Sequence, residues 1–318
     1  MRRPAAIVGH GLCFSMGSPP RAHRRIVRVA ITLACAALCI GETAFAQRIV
    51  VVTSGDGAPY RQALAAIEKL GVPVQALHVA ADADSARLAA ALSGAHDTAI
   101  VTLGTEAGEL GLRHSTGRPM VNCMMIGNDD GNATAKTVPR LVPIDAQLAW
   151  LKRLLPNARN VGIAFDPAQN ERRAAGAAAA LQAAGYVPVL EPVDGSRALP
   201  GALNRLGNRV DVLLALPDKT VYAREHSRAI LLFSFRHRIP VVGPTEGWVS
   251  AGALYAVDWD YTDLGRYCGA LALRELGGSK AAMPPPPRTR IVANARSAEQ
   301  LHLPWDAETL RSMDKVYE

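Results

Sequence analysis

From Arg48 onward the chain alternates between two patterns. Short runs of consecutive apolar, mostly β-branched residues are each followed by a stretch in which apolar positions recur every three or four residues. Arg48–Thr53 (RIVVVT) is the first run and ends in Ser54-Gly55-Asp56-Gly57. Pro59–Leu70 then places Leu64, Ile67 and Leu70 on one face, which predicts a helix stopped by Gly71. Val72–Val79 predicts a second strand, and Asp84–Leu92 a helix capped by Asp82 or Asp84. Thr98–Leu103 (TAIVTL) reads as a third strand leading through Gly104-Thr105 into a helix, and Pro119–Ile126 as a fourth strand. Continuous apolar strands joined by amphipathic helices belong to a parallel sheet covered on both faces.

After a polar stretch, Gly127–Pro143, the same plan starts again. Helices are predicted at Ile144–Leu155, from Pro167 through Leu181, at Leu199–Leu206 and after Asp218. Strands are predicted at Val161–Phe165 (VGIAF), Tyr186–Leu190, Val210–Leu216 (VDVLLAL), Pro240–Val242 and Gly252–Val257. Tyr261–Leu276 forms a further helix pattern. The proline run Pro284–Pro287 is a stiff connector to a last short strand, Arg290–Val292. The expected fold class is therefore α/β, with two doubly wound parallel-sheet lobes joined by a hinge. One lobe is expected from residues 47–142 plus about 252–282, and the other from 143–251 plus about 283–318.

Composition changes this picture little, but charge adds a leader. The net charge of +7 points at first to nucleic acid. Six of the arginines, Arg2, Arg3, Arg21, Arg24, Arg25 and Arg28, lie before residue 47, where Glu42 is the one acid. The rest of the chain carries 29 basic and 27 acidic residues, and aromatics are 5% of the whole, so no nucleic-acid partner is expected. Arg24, Arg25 and Arg28 form a positive region ahead of the twelve-residue apolar stretch Val29–Ile40, and Ala44-Phe45-Ala46 is an A-x-A site. Residues 1–46 thus read as a cleavable signal peptide, with export to the periplasm and a mature chain from Gln47. Twelve apolar residues are too few for a lasting membrane span. Cys35 and Cys39 lack a lipobox and sit in the apolar stretch. Cys123 and Cys268 remain beyond the leader, and the sequence leaves open whether they pair or stay as buried thiols.

In open parallel sheets ligands bind beyond the carboxyl ends of strands, where helix N-termini favour anions. The candidate binding residues are accordingly Ser54, Gly55, Gly104, Thr105, Asp166, Pro217, Asp218 and Glu246. Asp56, Glu106, Gly127, Asn128, Asp129, Pro167, Thr220 and Thr245 occupy equivalent positions. Hydroxyls and helix N–H groups suit a carboxylate, and Asp or Glu an ammonium. Each is also an ordinary helix-capping residue. Catalytic motifs are missing from the sequence: it contains no Gly-x-Ser-x-Gly elbow, no phosphate loop and no GxGxxG after a strand. The histidines lack metal-ligand spacing, so neither metal nor cofactor is expected.

Several short segments in order resemble a known family. Leu155–Pro167 (LPNARNVGIAFDP), Leu216–Tyr222 (LPDKTVY) with Ile239–Gly243 (IPVVG), Trp248–Leu254 (WVSAGAL) with Asp260–Arg266 (DYTDLGR), and Ile291–Asn294 (IVAN) with Ala298 to Pro304 are similar to segments of the ABC-transporter substrate-binding proteins of the tryptophan- and tyrosine-binding type. The resemblance implies a periplasmic-binding-protein-like type I fold, with a small molecule, often an amino acid, closed between two lobes. It implies cleft positions at Ser54, Thr105, Asp166, Asp218 and Glu246, and a membrane permease as partner for a monomeric protein. Gly127–Pro143 departs from the family pattern after the fourth strand, so the ligand does not carry over with the fold. Two other readings stay open: a binding module serving a sensor or outer-membrane uptake system, and an exported α/β hydrolase.

Overall fold

Side chains of the first apolar run divide between two cores, as burial on both faces requires. In the computed structural model, β1 (Arg48–Thr53) sends Ile49 and Val51 to one core and Val50 and Val52 to the other. The structure describes residues 47–79, 84–93, 97–125, 135–218, 220–278, 282–303 and 305–318. The leader reading of 1–46, the Asp82 cap and the candidates Gly127, Asn128 and Asp129 lie outside them.

The first sheet runs in the order β2-β1-β3-β4-β5, with β2 at Val74–His78, β3 at Thr98–Leu103, β4 at Met120–Met125 and β5 at Ala135–Pro139. All its pairings are parallel. Its helices are α1 (Ala58–Glu68), α2 (Asp84–Leu92) and α3 (Thr105–His114). The second sheet runs β12-β11-β10-β9-β8-β6-β7. Its strands are β6 (Asn160–Phe165), β7 (Val187–Pro192), β8 (Val212–Leu214), β9 (Val241–Val242), β10 (Tyr255–Trp259), β11 (Thr289–Asn294) and β12 (Lys315–Tyr317). The helices α4 (Ile144–Leu154), α5 (Pro167–Ala183), α6 (Leu199–Leu206), α7 (Ser227–His237) and α8 (Glu246–Ser250) belong with it. Its strands divide in the same way: Val161, Ile163, Val212, Leu214 and Val242 enter one core, and Ala164, Leu213 and Val241 the other.

The chain crosses between the lobes three times: from β5 into α4, from β10 into α9 (Tyr261–Leu276), and from α9 back to β11. The return to the first lobe therefore starts later than the sequence pattern placed it. Gly252–Val257 was expected to open that return, but the strand formed here, β10, pairs with β9 and β11 in the second sheet. A short apolar run shows that a strand is buried without showing which sheet completes it. Because β11 enters from the first lobe, it pairs antiparallel with β10, the one antiparallel pairing among the described strands.

Helix α9 is what closes the first lobe around its interrupted chain. It lies against α1 so tightly that a Cβ at Gly265 would stand 2.2 Å from the Ala63 carbonyl oxygen. One turn on, a Cβ at Gly269 would meet the Leu70 side chain at 2.3 Å. Cys268, on the same helix, forms a disulfide with Cys123 of β4, with Cα atoms 6.6 Å apart, which resolves the pairing left open by the sequence.

Candidate functional site

Three loops at the carboxyl ends of β6, β8 and β9 meet on the second lobe, and Asp218 knits two of them together. Its side chain is 8% exposed. Oδ1 accepts the backbone N–H groups of Thr220 and Val221, each at 2.8 Å. Oδ2 accepts the Asp166 N–H at 2.8 Å and the Asn170 side-chain amide at 2.7 Å. Asp166 caps α5 by accepting the Ala168 N–H at 2.9 Å, as the Asp-Pro entry foretold. Its other oxygen accepts from the Thr220 hydroxyl at 2.6 Å and the Gln169 amide at 2.8 Å. The Thr220 bond foremost, with those from Gln169 and Ala168 and against a smaller effect of burial, holds the Asp166 carboxyl below its ordinary value.

Next to this knot is a polar pocket of about 690 Å³, lined on the second lobe by Gln169, Asn170, Asp218, Tyr222, Thr245 and Trp248 among others. Trp248 and Tyr222 pack edge to face, with ring centres 5.7 Å apart, as one wall. Arg140 and Arg173 also face it. Arg140 sits on the first crossing, its N–H bonded to the Met125 carbonyl at 3.0 Å and its guanidinium 3.4 Å from the Tyr60 hydroxyl of the first lobe. A second pocket of about 420 Å³ shares Arg173 and Pro217 with the first. Apart from Arg173 and Gln147, its walls are apolar, including Met125, Leu141, Val142, Ile144 and Leu216.

The crossings themselves are pinned beside these pockets. The Trp259 indole donates to the Pro139 carbonyl at 3.2 Å. Asp258 Oδ1 accepts the Tyr261 hydroxyl at 2.7 Å and the Trp259 N–H at 2.8 Å. Burial pushes the Asp258 carboxyl above its ordinary value, with the bonds from Tyr261 and Trp259 and the charges of Arg140 and Arg290 opposing.

The residues anticipated from sequence fall into three groups. Asp166, Pro217 and Asp218 come together on the second lobe. Ser54, Gly55, Gly104 and Thr105 come together on the first, where the β1 and β3 ends form a knot of their own. The Ser54 hydroxyl accepts the Ala107 N–H at 2.8 Å, capping α3. Gly104 has φ +103°, and a Cβ there would lie 2.5 Å from Ser54 Oγ. A Cβ at Gly55 would press on the Tyr60 ring at 2.8 Å.

Glu246 stands apart from both groups. Its carboxylate accepts from Lys315 at 2.7 Å, Tyr317 at 2.8 Å and Arg290 at 2.6 Å, tying α8 to β11 and β12. Burial acts to raise its pKa, but these bonds and charges outweigh it and hold the group below 4.5. A carboxyl depressed on folding stabilises the fold above its unfolded pKa, and that stability is lost as pH falls through the folded value. Glu246→Gln is expected to cost about 1–2 kcal/mol near neutral pH. In thermal melts the gap to the parent protein should close as pH is lowered below 4.5.

Arg140, Asn170 and Arg173 line the polar pocket and are not among the residues expected from the sequence. One cue was present. The buried face of α5 reads Asn170, Ala174, Ala177, Ala178 and Leu181, and a buried asparagine among alanines marks a polar task at that end.

Two parallel α/β lobes, joined by crossing segments with pockets beside them, define a two-lobed binding protein of the periplasmic-binding-protein type I fold. The chain belongs to the ABC transporter substrate binding protein family, whose model matches residues 137–316. It is 25% identical over 181 residues to the tyrosine-binding protein of Clostridioides difficile, a match spanning 56% of this chain and 48% of that relative. Among solved structures it is similar to a ligand-free, open substrate binding protein with adhesive properties from Clostridium difficile, with TM-score 0.71 and 15% identity over 85% of this chain and 99% of that one. It is also similar to an ABC domain from Streptococcus pneumonia in complex with L-Trp, with TM-score 0.62 and 17% identity over 85% and 99% of the two chains. At these identities the structural likeness concerns the fold.

Proposed function

We propose that this protein is a periplasmic solute-binding component of an ABC-type importer, closing its two lobes on a small organic molecule that carries a carboxylate. Amino acids are the first class to test. The observation that carries this reading is the polar pocket of about 690 Å³ at the strand ends of the second lobe, reached by Arg140 from the crossing. Its size suits a small ligand, and its place matches where open α/β sheets bind them. Family membership supports a binding role in place of catalysis. The basic and apolar leader with its A-x-A site supports export, after which the loaded form would dock on a membrane permease.

The test is thermal unfolding of the purified protein against a panel of amino acids and organic acids. A ligand held a hundredfold above its Kd adds about 2.7 kcal/mol of stability. A rise in melting temperature confined to one chemical class is the expected result. No response to any carboxylate would contradict the reading.

A further inference from the structure

Resting on that reading of the cleft, we infer that Met125 sets which solutes are accepted, as the first-lobe wall of an apolar subsite where the body of the solute packs. The end of β4 shows how the residue is aimed. Val121 and Cys123 face one core of the first sheet, and Met120 faces the other, the one covered by α3. Strict alternation would return Met124 to the α3 side and send Met125 away from it. The chain does the opposite. Cys123 pairs with Val138 and Met125 with Pro139, so Met124 is the extra residue of a β-bulge. Met124 has φ +62°, a left-handed conformation uncommon for a residue with a Cβ, and its side chain joins Cys123 in the same core, 1% exposed. The bulge thereby turns Met125 to the α3 face, and re-aiming a side chain is what bulges beside binding sites do.

That face is cleared to receive it. Gly108 of α3 has no side chain, and a Cβ there would stand 2.9 Å from Met125 Sδ and 3.0 Å from its Cε. The Met125 carbonyl accepts the Arg140 N–H at 3.0 Å, so backbone and side chain are both seated. From this seat Met125, half-buried, lines the apolar pocket of about 420 Å³. Met125 and Pro139 bring the first sheet to that pocket. Its other walls come from the first crossing, α4, α5 and the end of β8, and include Ile144, Ala177 and Leu216.

The two pockets share Arg173 and Pro217, so a solute held by its polar end in one reaches the other. Arg173 and Gln147 are the only polar side chains in the apolar lining, so the part that packs there is aliphatic or aromatic. Each methylene it buries tightens binding by about fourfold. A methionine suits this wall, being unbranched, polarisable and able to fit bodies of different shape. It also ties selection to closure. Met125 moves with the first lobe and Leu216 with the second, so a solute that fills the space between them favours the arrangement in which both walls touch it.

The experiment is titration calorimetry of the purified protein with two size series: L-alanine, L-leucine and L-phenylalanine, and propionate, 4-methylpentanoate and 3-phenylpropionate. Within a series that binds, the two larger members should bind at least about tenfold more tightly than the smallest. Gly108→Ala tests Met125 without altering the pocket lining itself. The added Cβ displaces only the flexible end of Met125, which has the pocket to move into, and alanine favours a helix interior. This variant should melt no lower than the parent, weaken the larger members by about tenfold and leave the smallest within about twofold. In a Met125→Ala background the same change should leave binding unaltered. A second readout is the methyl resonance of Met125 in protein labelled with [methyl-13C]methionine, identified by its loss in Met125→Leu. Saturation with the phenyl-bearing member should shift it. Members of a series binding alike, Gly108→Ala weakening all members alike or none, or a Met125 methyl unmoved at saturation would each overturn the inference and leave the capture reading standing. Failure of every member of both series to bind would overturn both.

Discussion

Opening the Cys123–Cys268 disulfide is expected to lower the melting temperature by about 5–10 °C, corresponding to about 2–5 kcal/mol. The two residues are 145 positions apart, and the enclosed chain holds β5, two of the crossings and the second lobe through β10. In the chain-entropy account a closure of that length restricts the unfolded state by about 5 kcal/mol at most. The bond also joins β4 to α9, the segment that returns to the first lobe after the second is complete. Both cysteines are fully buried, so the reduced protein is best prepared from the unfolded state. The Cys123→Ala/Cys268→Ala variant should melt close to the reduced parent. Hydrogen exchange should rise first along Met120–Met125 and Tyr261–Leu276, with the β6–β9 core of the second lobe little changed. Identical melting of oxidised and reduced protein would show that α9 docks on α1 without help from the bond.

Asp218→Ala should cost about 3–5 kcal/mol in urea unfolding and abolish solute binding. The change removes no large apolar side chain. It strands four donors, from Asp166, Asn170, Thr220 and Val221, in a region where Asp218 itself is 8% exposed. Each unsatisfied buried donor costs about 1–3 kcal/mol unless water reaches it, and the exposed side of the knot admits some. Asp218→Asn should be milder, since one amide oxygen still accepts two of the four. A loss below about 1 kcal/mol for the alanine variant would mean that the loops hold their shape without the carboxylate.

Much of this arrangement can be read from the sequence. RIVVVT and TAIVTL announced strands buried on both sides, and both are. The Asp166-Pro167 helix entry and the strand-end positions of Asp166, Pro217 and Asp218 were readable from turn chemistry. Strands β5 and β12 were not anticipated, because AKTVP and KVY are short, half-polar runs with no period of their own. They are strands because a sheet edge accepts them. Sequence placed Glu246 with the cleft because it follows a strand, but its partners Arg290, Lys315 and Tyr317 come from segments 44 to 71 residues away. The place of Arg140 in the pocket lining is hidden for a related reason. It depends on where the first crossing brings the residue, beside Tyr60 and the second-lobe pocket, and no local pattern encodes that distance.

A solute held between lobes that move on it should shorten the distance from one lobe to the other. Glu106 follows β3 on the first lobe and Glu225 rims the polar pocket on the second, and both are exposed. Nitroxide labels on Glu106→Cys and Glu225→Cys, with the native cysteines kept as their disulfide, would report the separation by pulsed electron resonance. The measurement is made without solute and with the carboxylate that gives the largest melting shift at saturation. The expected result is a shorter and narrower distance distribution with solute bound. An unchanged distribution at full occupancy would contradict capture by lobe closure.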